Sequence, residues 1–202
     1  MDRTYQRGQR DGQGAHVITL SRVYPHRRAK VWAAFTSAER LSRWFTPVTG
    51  ELKLGGHYQF QGNAGGTITE CVEPERIAAT WVMGGESWVE LTFADAGQGT
   101  RLTLHHTALV DQMPPGFWDK YGPGAVGVGW ELGFFGLEVH LDAPEAPRDP
   151  KWDTWHETPE GRAAITDGAN AWAAAAIAGG EDAAMMQATV PELIAFYTGQ
   201  PA

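Results

Sequence analysis

The sequence predicts an α+β fold in which a curved antiparallel β-sheet wraps around a long C-terminal helix. Residues 51–109 contain consecutive runs in which apolar and polar residues alternate, with glycine-rich turns between them. This pattern is typical of an antiparallel sheet with one covered face. Residues 122–141 follow, and their apolar side chains recur at helical spacing. This long helix is the expected cover of the sheet, and two short helical runs over residues 28–45 precede it.

The predicted long helix, Gly122–Leu141, carries glycine in the middle of its apolar side. Its side chains form two apolar stripes (Trp130, Phe134, Leu137 and Leu141; Leu132 and Val139) and one wedge predicted to face water (Glu131, Glu138 and Asp142). Gly129, Gly133 and Gly136 lie between the stripes, although an interior glycine costs a helix about 1 kcal/mol relative to alanine. Two explanations remain open at this point: close packing of the helix on the sheet, or a cavity between them.

The composition of successive segments predicts four regions along the chain. Residues 1–15 are polar and glycine-rich, and we expect a flexible N-terminus, with a weak hairpin at Asp11–Gly12 as the alternative. Residues 16–142 form the predicted main domain, which begins with a strand that ends at Pro25. Residues 143–150 read as a proline-rich linker. Residues 151–202 are predicted to be a helical extension, with a helix that Thr158 can cap and a later one that Pro191 interrupts. Three roles of this extension remain open: it packs on the domain, covers a pocket or forms a homodimer.

Charge and motifs exclude several classes of protein. The net charge of −8 and the absence of a basic run argue against nucleic acid and against a membrane surface as partners. The single cysteine, Cys71, excludes an internal disulfide and a cysteine metal cluster. No apolar run reaches the ~20 residues of a membrane span, and the N-terminus lacks the apolar core of a signal peptide, so we expect a soluble cytoplasmic protein. We predict no cofactor, because no phosphate-binding or dinucleotide motif is present.

The order and spacing of short motifs resemble a known superfamily over residues 16–142. The residues that carry the resemblance are Arg22, Pro25, Val31-Trp32, Phe35-Thr36, Arg43-Trp44-Phe45, Gly55-Gly56, Gly66 to Glu70, Pro74, Arg76, Thr80-Trp81, Gly99 to Leu102, His106 and Gly129-Trp130. The chain resembles the START-like (SRPBCC, birch-pollen-allergen-like) superfamily, and within it the branch named after activators of the heat-shock protein 90 ATPase. The resemblance implies a helix-grip fold with an internal cavity, which favours the cavity explanation of the glycines. It does not fix the activity, because the superfamily includes carriers, receptors, cyclases and co-chaperones.

A pocket in such a fold is lined by the inward face of the sheet and by the helix. The predicted ligand-binding residues are Tyr58, Phe60, Ile68, Glu70, Trp81, Met83, Leu91, Leu104, His106, Trp130, Phe134 and Leu137. Glu70 and His106 are the polar members of otherwise apolar faces. No metal site is predicted, since His105 and His106 are adjacent in a strand and point to opposite faces.

Three functions follow as hypotheses. The favoured one is a non-catalytic protein that binds a small apolar or aromatic molecule in an internal cavity. The second is an enzyme of the same fold, of cyclase, dehydratase or hydrolase type, that uses Glu70 and His106 as acid and base. The third is a co-chaperone-like interaction module.

Overall fold

The computed structural model describes residues 1–199, which form an eight-stranded antiparallel sheet and six α-helices. The strands are β1 (Asp2–Arg10), β2 (Gln13–Tyr24), β3 (Val48–Gly50), β4 (His57–Phe60), β5 (Gly65–Val72), β6 (Arg76–Val82), β7 (Glu86–Ala96) and β8 (Gly99–Leu109). The helices are α1 (Arg28–Thr36), α2 (Ala38–Trp44), α3 (Phe117–Tyr121), α4 (Gly124–Asp142), α5 (Pro159–Ala178) and α6 (Ala183–Thr198). Short 3-10 turns cover Val110–Gln112, Pro150–Asp153 and Trp155–Glu157.

The sheet has the strand order β1-β2-β8-β7-β6-β5-β4-β3, and every neighbouring pair is antiparallel. Alternate side chains of the central strands, such as Leu91 and Leu104, are buried on one face. The long helix α4 packs there, where the Tyr24 hydroxyl donates to the backbone oxygen of Phe134 at 3.0 Å. The predicted helix-grip architecture, with two short helices before the meander, is therefore confirmed.

The N-terminus differs from the flexible segment expected for residues 1–15. Asp11 and Gly12 have φ values of 51° and 79°, so they form a turn that matches the twist of a hairpin, and β1 pairs with β2 along its whole length. The inward residues of β1 are polar but have buried partners. Tyr5 donates to Glu181 at 2.6 Å, and Arg7 binds the same carboxylate at 2.6 and 2.8 Å. Because the inward polar groups have partners, a polar segment can form part of the sheet.

Glu131 was expected to face water, but it is 97% buried. Arg3 of β1 reaches it with two hydrogen bonds, from Nε at 2.6 Å and from Nη2 at 2.7 Å. The bidentate pairing compensates the desolvation of the carboxylate. Only the Glu131 end of the polar wedge faces the added strand: the Asp142 side chain is 70% exposed, as predicted, and Glu138 forms an ion pair with Arg22 of β2. Val139, which the helical spacing places on an apolar stripe, is 49% exposed.

The three glycines of α4 meet three different neighbours. A methyl group added at Gly136 would lie 2.6 Å from the backbone oxygen of Trp44, so this glycine permits close packing of α4 on the end of α2. At Gly129 it would lie 2.9 Å from the Tyr197 hydroxyl of α6. At Gly133 it would meet the Phe45 ring at 3.7 Å, an ordinary contact distance. Close packing therefore explains Gly129 and Gly136, and Gly133 lies beside an aromatic ring.

The helical extension packs on the first half of α4. Thr158 caps α5 by accepting from Gly161 N at 3.1 Å, as predicted. Trp172 is fully buried against the bare backbone of Gly127. The expected interruption at Pro191 is wrong, because α6 continues through it while Met186 and Leu193 on either side are buried. None of the helices within residues 1–199 has the length and hydrophobicity that a membrane span requires.

Candidate functional site

An apolar pocket lies between the short helices α1 and α2, the long helix α4 and the inward face of β4 to β7. Its lining residues are Phe35, Leu41, Trp44, Phe45, Leu52, Tyr58, Phe60, Ile68, Ile77, Ala79, Trp81, Val89, Leu91 and Trp130. The pocket has a volume of about 80 Å³. One water needs ~10–15 Å³ by this kind of measure, so the space is large enough for a small organic group.

Aromatic rings form much of the wall. The Phe45 and Trp130 rings are parallel within 5°, with centroids 6.1 Å apart. Trp81 lies 4.9 Å from Trp130 and 5.6 Å from Phe60. Flat rings from α4, the end of α2 and two strands thus surround the same space, which suits contact with a flat apolar group.

Most polar atoms of the lining residues are already bonded to the protein. The Tyr58 hydroxyl donates to Thr80 O at 2.7 Å, and burial raises the pKa of this phenol. Trp44 Nε1 donates to Ala34 O at 3.0 Å. Trp130 Nε1 donates to His106 Nδ1 at 2.9 Å. No charged side chain of residues 1–199 lines the wall, so a charged ligand would lose its hydration without an opposite charge to replace it.

His106 lies behind the wall and not on it. Its Nδ1 accepts from Trp130, so Nε2 carries the proton and donates to Ser87 Oγ at 2.9 Å. Ser87 donates onward to Trp81 O at 2.5 Å. Burial lowers the pKa of His106 to about 4, which keeps the ring neutral. His106 therefore connects Trp130 of the helix to β6 and β7, and neither ring nitrogen is free to contact a ligand.

The expected inward position of Glu70 is wrong. Ile68 pairs with Ala79, but Glu70 pairs with Ala78, so a β-bulge at Thr69 shifts the alternation by one residue. Glu70 therefore lies on the outer face, where it forms an ion pair with Arg76 Nε at 3.2 Å. Cys71, opposite Ile77, takes the inward position. Because Glu70 and His106 lie on opposite faces of the sheet, they form no acid–base pair.

The other predicted site residues divide into three groups. Six of the twelve line the pocket: Tyr58, Phe60, Ile68, Trp81, Leu91 and Trp130. Three are core residues that pack away from it: Leu104, Phe134 and Leu137. Met83 is 63% exposed, because β6 ends at Val82 and the chain turns at Gly84, where φ is 77°.

The sequence reading missed the contribution of the short helices. Phe35, Leu41, Trp44 and Phe45 line the pocket from α1, α2 and the residue after them. The sequence predicts two short helices over residues 28–45, but nothing in their spacing says which surface these helices cover. The clustering of Trp44 and Phe45 at the end of α2 is the signal that could have pointed to the pocket.

The described part of the helical extension, residues 151–199, does not line this pocket, since Trp130 is the last lining residue in that part of the chain. Residues 1–199 also contain no group of three or more His, Cys, Asp or Glu side chains placed to hold a metal ion.

Comparisons with protein families and solved structures agree with the fold described above. Residues 25–141 match the family model described as activator of Hsp90 ATPase homolog 1-like protein. The solution structure of CalU16 from Micromonospora echinospora is 32% identical, covers 88% of this chain and 96% of its own, and has a TM-score of 0.72. The crystal structure of CalU16 is 31% identical, covers 86% of this chain and 96% of its own, and has a TM-score of 0.68. A search of curated protein sequences gave no significant match.

A second solved structure shares the fold at lower identity. The crystal structure of an Hsp90 activator from Plasmodium falciparum is 23% identical, covers 62% of this chain and 96% of its own, and has a TM-score of 0.53. At this identity the likeness shows the fold alone. Residues 1–141 are only about 70% of this chain, so the match to CalU16 extends into the C-terminal helices.

Proposed function

We propose, for a chain that belongs to the activator of Hsp90 ATPase homolog 1-like family, that its aromatic pocket binds a small, uncharged, mostly apolar molecule. The observation that carries the proposal is the lining: every side chain on the wall is apolar or aromatic, and seven carry aromatic rings. Pockets that bind small molecules are typically concave and lined by such groups.

The size and chemistry of the pocket narrow the ligand. About 80 Å³ suits a group of roughly one aromatic ring. The indole N–H groups of Trp44 and Trp130 already donate to protein acceptors. An uncharged, apolar ligand is therefore compatible with this wall, but an ionised group is not.

The two residues on which the enzyme hypothesis depends, Glu70 and His106, are not available to a ligand in the pocket. Glu70 lies on the outer face of the sheet, and His106 uses both ring nitrogens in hydrogen bonds to the protein. Catalysis by an acid–base pair needs both groups within reach of the substrate. We therefore favour binding without chemical change.

The co-chaperone hypothesis rests on the family description and on no particular surface of this chain. This hypothesis predicts a different experimental result from ligand binding. A co-chaperone-like protein should associate with an ATPase partner whether or not its aromatic pocket is blocked.

The test uses toluene as an uncharged one-ring probe and a matched pair of variants. Ala79 lines the pocket, whereas the neighbouring Ala78 lies on the outer face of the same strand. A leucine at position 79 fills the pocket, and a leucine at position 78 adds the same volume outside it. We expect toluene to raise the melting temperature of the wild-type protein and of Ala78→Leu, because a ligand that binds the folded state stabilises it. The Ala79→Leu protein should show little or no rise.

An equal rise in all three proteins would place the toluene elsewhere and contradict the proposal. No rise in the wild-type protein at saturating toluene would also contradict it.

A further inference from the structure

A second pocket lies at the other end of α4, under the segment that connects α4 to the helical extension. Its lining residues are Arg43, Gly136, Val139, His140, Ala143, Ala146, Pro147, Arg148, Asp149, Pro150 and Trp152. Its volume is about 460 Å³, and it shares no lining residue with the aromatic pocket. A ligand of several rings therefore fits here, although the aromatic pocket has room for only about one.

His140 is the unusual residue of this second pocket. It is 96% buried, and neither of its ring nitrogens has a hydrogen-bond partner within residues 1–199. Burial, followed by the nearby Arg40 and Arg43, lowers the pKa of His140. The ring is therefore a neutral imidazole with one donor and one acceptor. Buried polar groups in proteins normally have a hydrogen-bond partner, and the two nitrogens of this ring are an exception that a ligand could satisfy.

Two arginines give the pocket its charged side. Arg43 donates to Pro144 O, to Glu145 at 3.1 Å and to Glu39 at 2.5 Å, which fixes its position. Arg148 donates to Asp153 at 2.6 Å from Nη1. Each guanidinium has five N–H groups, so both keep donors that no residue within 1–199 occupies. Among the described lining residues the one carboxylate, that of Asp149, already accepts from Lys151 N at 2.9 Å.

The remaining wall is apolar and includes a flat ring. Trp152, Pro147 and Pro150 come from the connecting segment, and Val139 comes from α4. Trp152 also packs against Trp155, with ring centroids 5.4 Å apart. An aromatic body can therefore lie against Trp152 while an anionic group faces the arginines.

We propose that this second pocket is a binding site for a small aromatic carboxylate, with the carboxylate on Arg148 and Arg43 and the ring system between Trp152 and His140. The site is separate from the aromatic pocket and recognises a different chemistry, because no charged side chain in the described chain lines the aromatic pocket.

The test follows alanine methyl groups by NMR during titration with 2-naphthoate. Ala143 and Ala146 line the second pocket, and Ala79 lines the aromatic pocket, so the two sites have separate reporters. We expect saturable shifts of Ala143 and Ala146 with 2-naphthoate. The uncharged 2-naphthalenemethanol, which has the same rings, should bind at least about tenfold more weakly, because a charge-assisted hydrogen bond is lost.

Two variants test the residues. Arg148→Gln should weaken 2-naphthoate binding about tenfold or more. Arg10→Gln is the matched control, since Arg10 of β1 packs over Trp88 of β7 and does not line the second pocket. This variant should leave the affinity unchanged. The imidazole nitrogens of His140 should also shift on binding, which a purely structural role would not produce.

Three results would overturn the proposal. The first is no saturable shift at Ala143 and Ala146. The second is a shift of Ala79 alone. The third is equal affinity for the acid and the alcohol together with an unaffected Arg148→Gln protein.

Discussion

His106 acts as a neutral connector between the long helix and the sheet. Trp130 donates to its Nδ1, and its Nε2 donates to Ser87. A protonated ring would carry a hydrogen on Nδ1 and could no longer accept from Trp130. The histidine therefore holds a wall of the aromatic pocket in place only while it is uncharged.

The stability of the fold should consequently depend on pH through this residue. The pKa of His106 is about 4 in the folded protein and about 6.5 in the unfolded chain. Between these values the unfolded chain binds the extra proton, so the free energy of unfolding falls as the pH drops through this window. We expect His106 to account for a loss of about 3 kcal/mol between pH 7 and pH 4.

Urea unfolding of the wild-type protein and of His106→Gln at both pH values measures this contribution. The variant is expected to be less stable at pH 7 but to lose less stability on acidification. An identical pH dependence of the two proteins would show that His106 is not the titrating group.

At the scale of elements, α4 is held by different contacts along its length. Gly136 permits close approach to the end of α2, and Gly127 permits close approach to Trp172 of α5. Gly133 lies between these points, next to Phe45 of the aromatic pocket. The glycines therefore differ in what an added methyl group would do.

Alanine substitutions at Gly133 and Gly136 should have opposite effects. Gly133→Ala should stabilise the protein by up to about 1 kcal/mol, since it improves helix propensity and meets Phe45 at an ordinary distance. Gly136→Ala should destabilise it by about 1–3 kcal/mol, because the Trp44 backbone must move. Chemical denaturation of both variants checks this, and the same sign for both would contradict the packing described here.

The sequence allowed prediction of the elements but not of every side-chain direction. Alternation and turn residues located the meander, and helical spacing located α4, because these patterns are local. The bulge at Thr69 has no sequence signal, and it moved Glu70 to the outer face and Cys71 to the inner one. The partners of Glu131 and of the β1 side chains are distant in sequence, which is why polar residues there were read as solvent-facing.

At the scale of the whole molecule, the helical extension and the N-terminal hairpin stabilise each other. Glu181, just before α6, binds Tyr5 and Arg7 of β1, and Trp172 of α5 packs on α4. The match to CalU16 covers 88% of this chain and therefore extends into the C-terminal helices. A homodimer through the extension stays a prediction, and its largest apolar side chains are already buried within the chain.

Removal of residues 143–202 should therefore loosen β1 more than the centre of the sheet. We expect the amides of β1 to lose protection from hydrogen exchange, while those of β7 and β8 keep most of theirs. Glu181→Gln in the full chain is the milder control, because it removes the charge that holds Arg7 and leaves both helices in place. Unchanged protection of β1 in the shortened chain would contradict the coupling.

The most direct test of the central claim is whether a bound apolar ring touches the inward face of the sheet. Intermolecular NOEs between toluene and the side-chain methyl groups of the wild-type protein measure this contact. The pocket described here predicts cross-peaks to Ile68, Ile77 and Leu91, which line it, and none to Leu104, which is fully buried away from it. Cross-peaks to Leu104 without the other three, or no cross-peaks at saturating toluene, would contradict a ligand-binding pocket at this position.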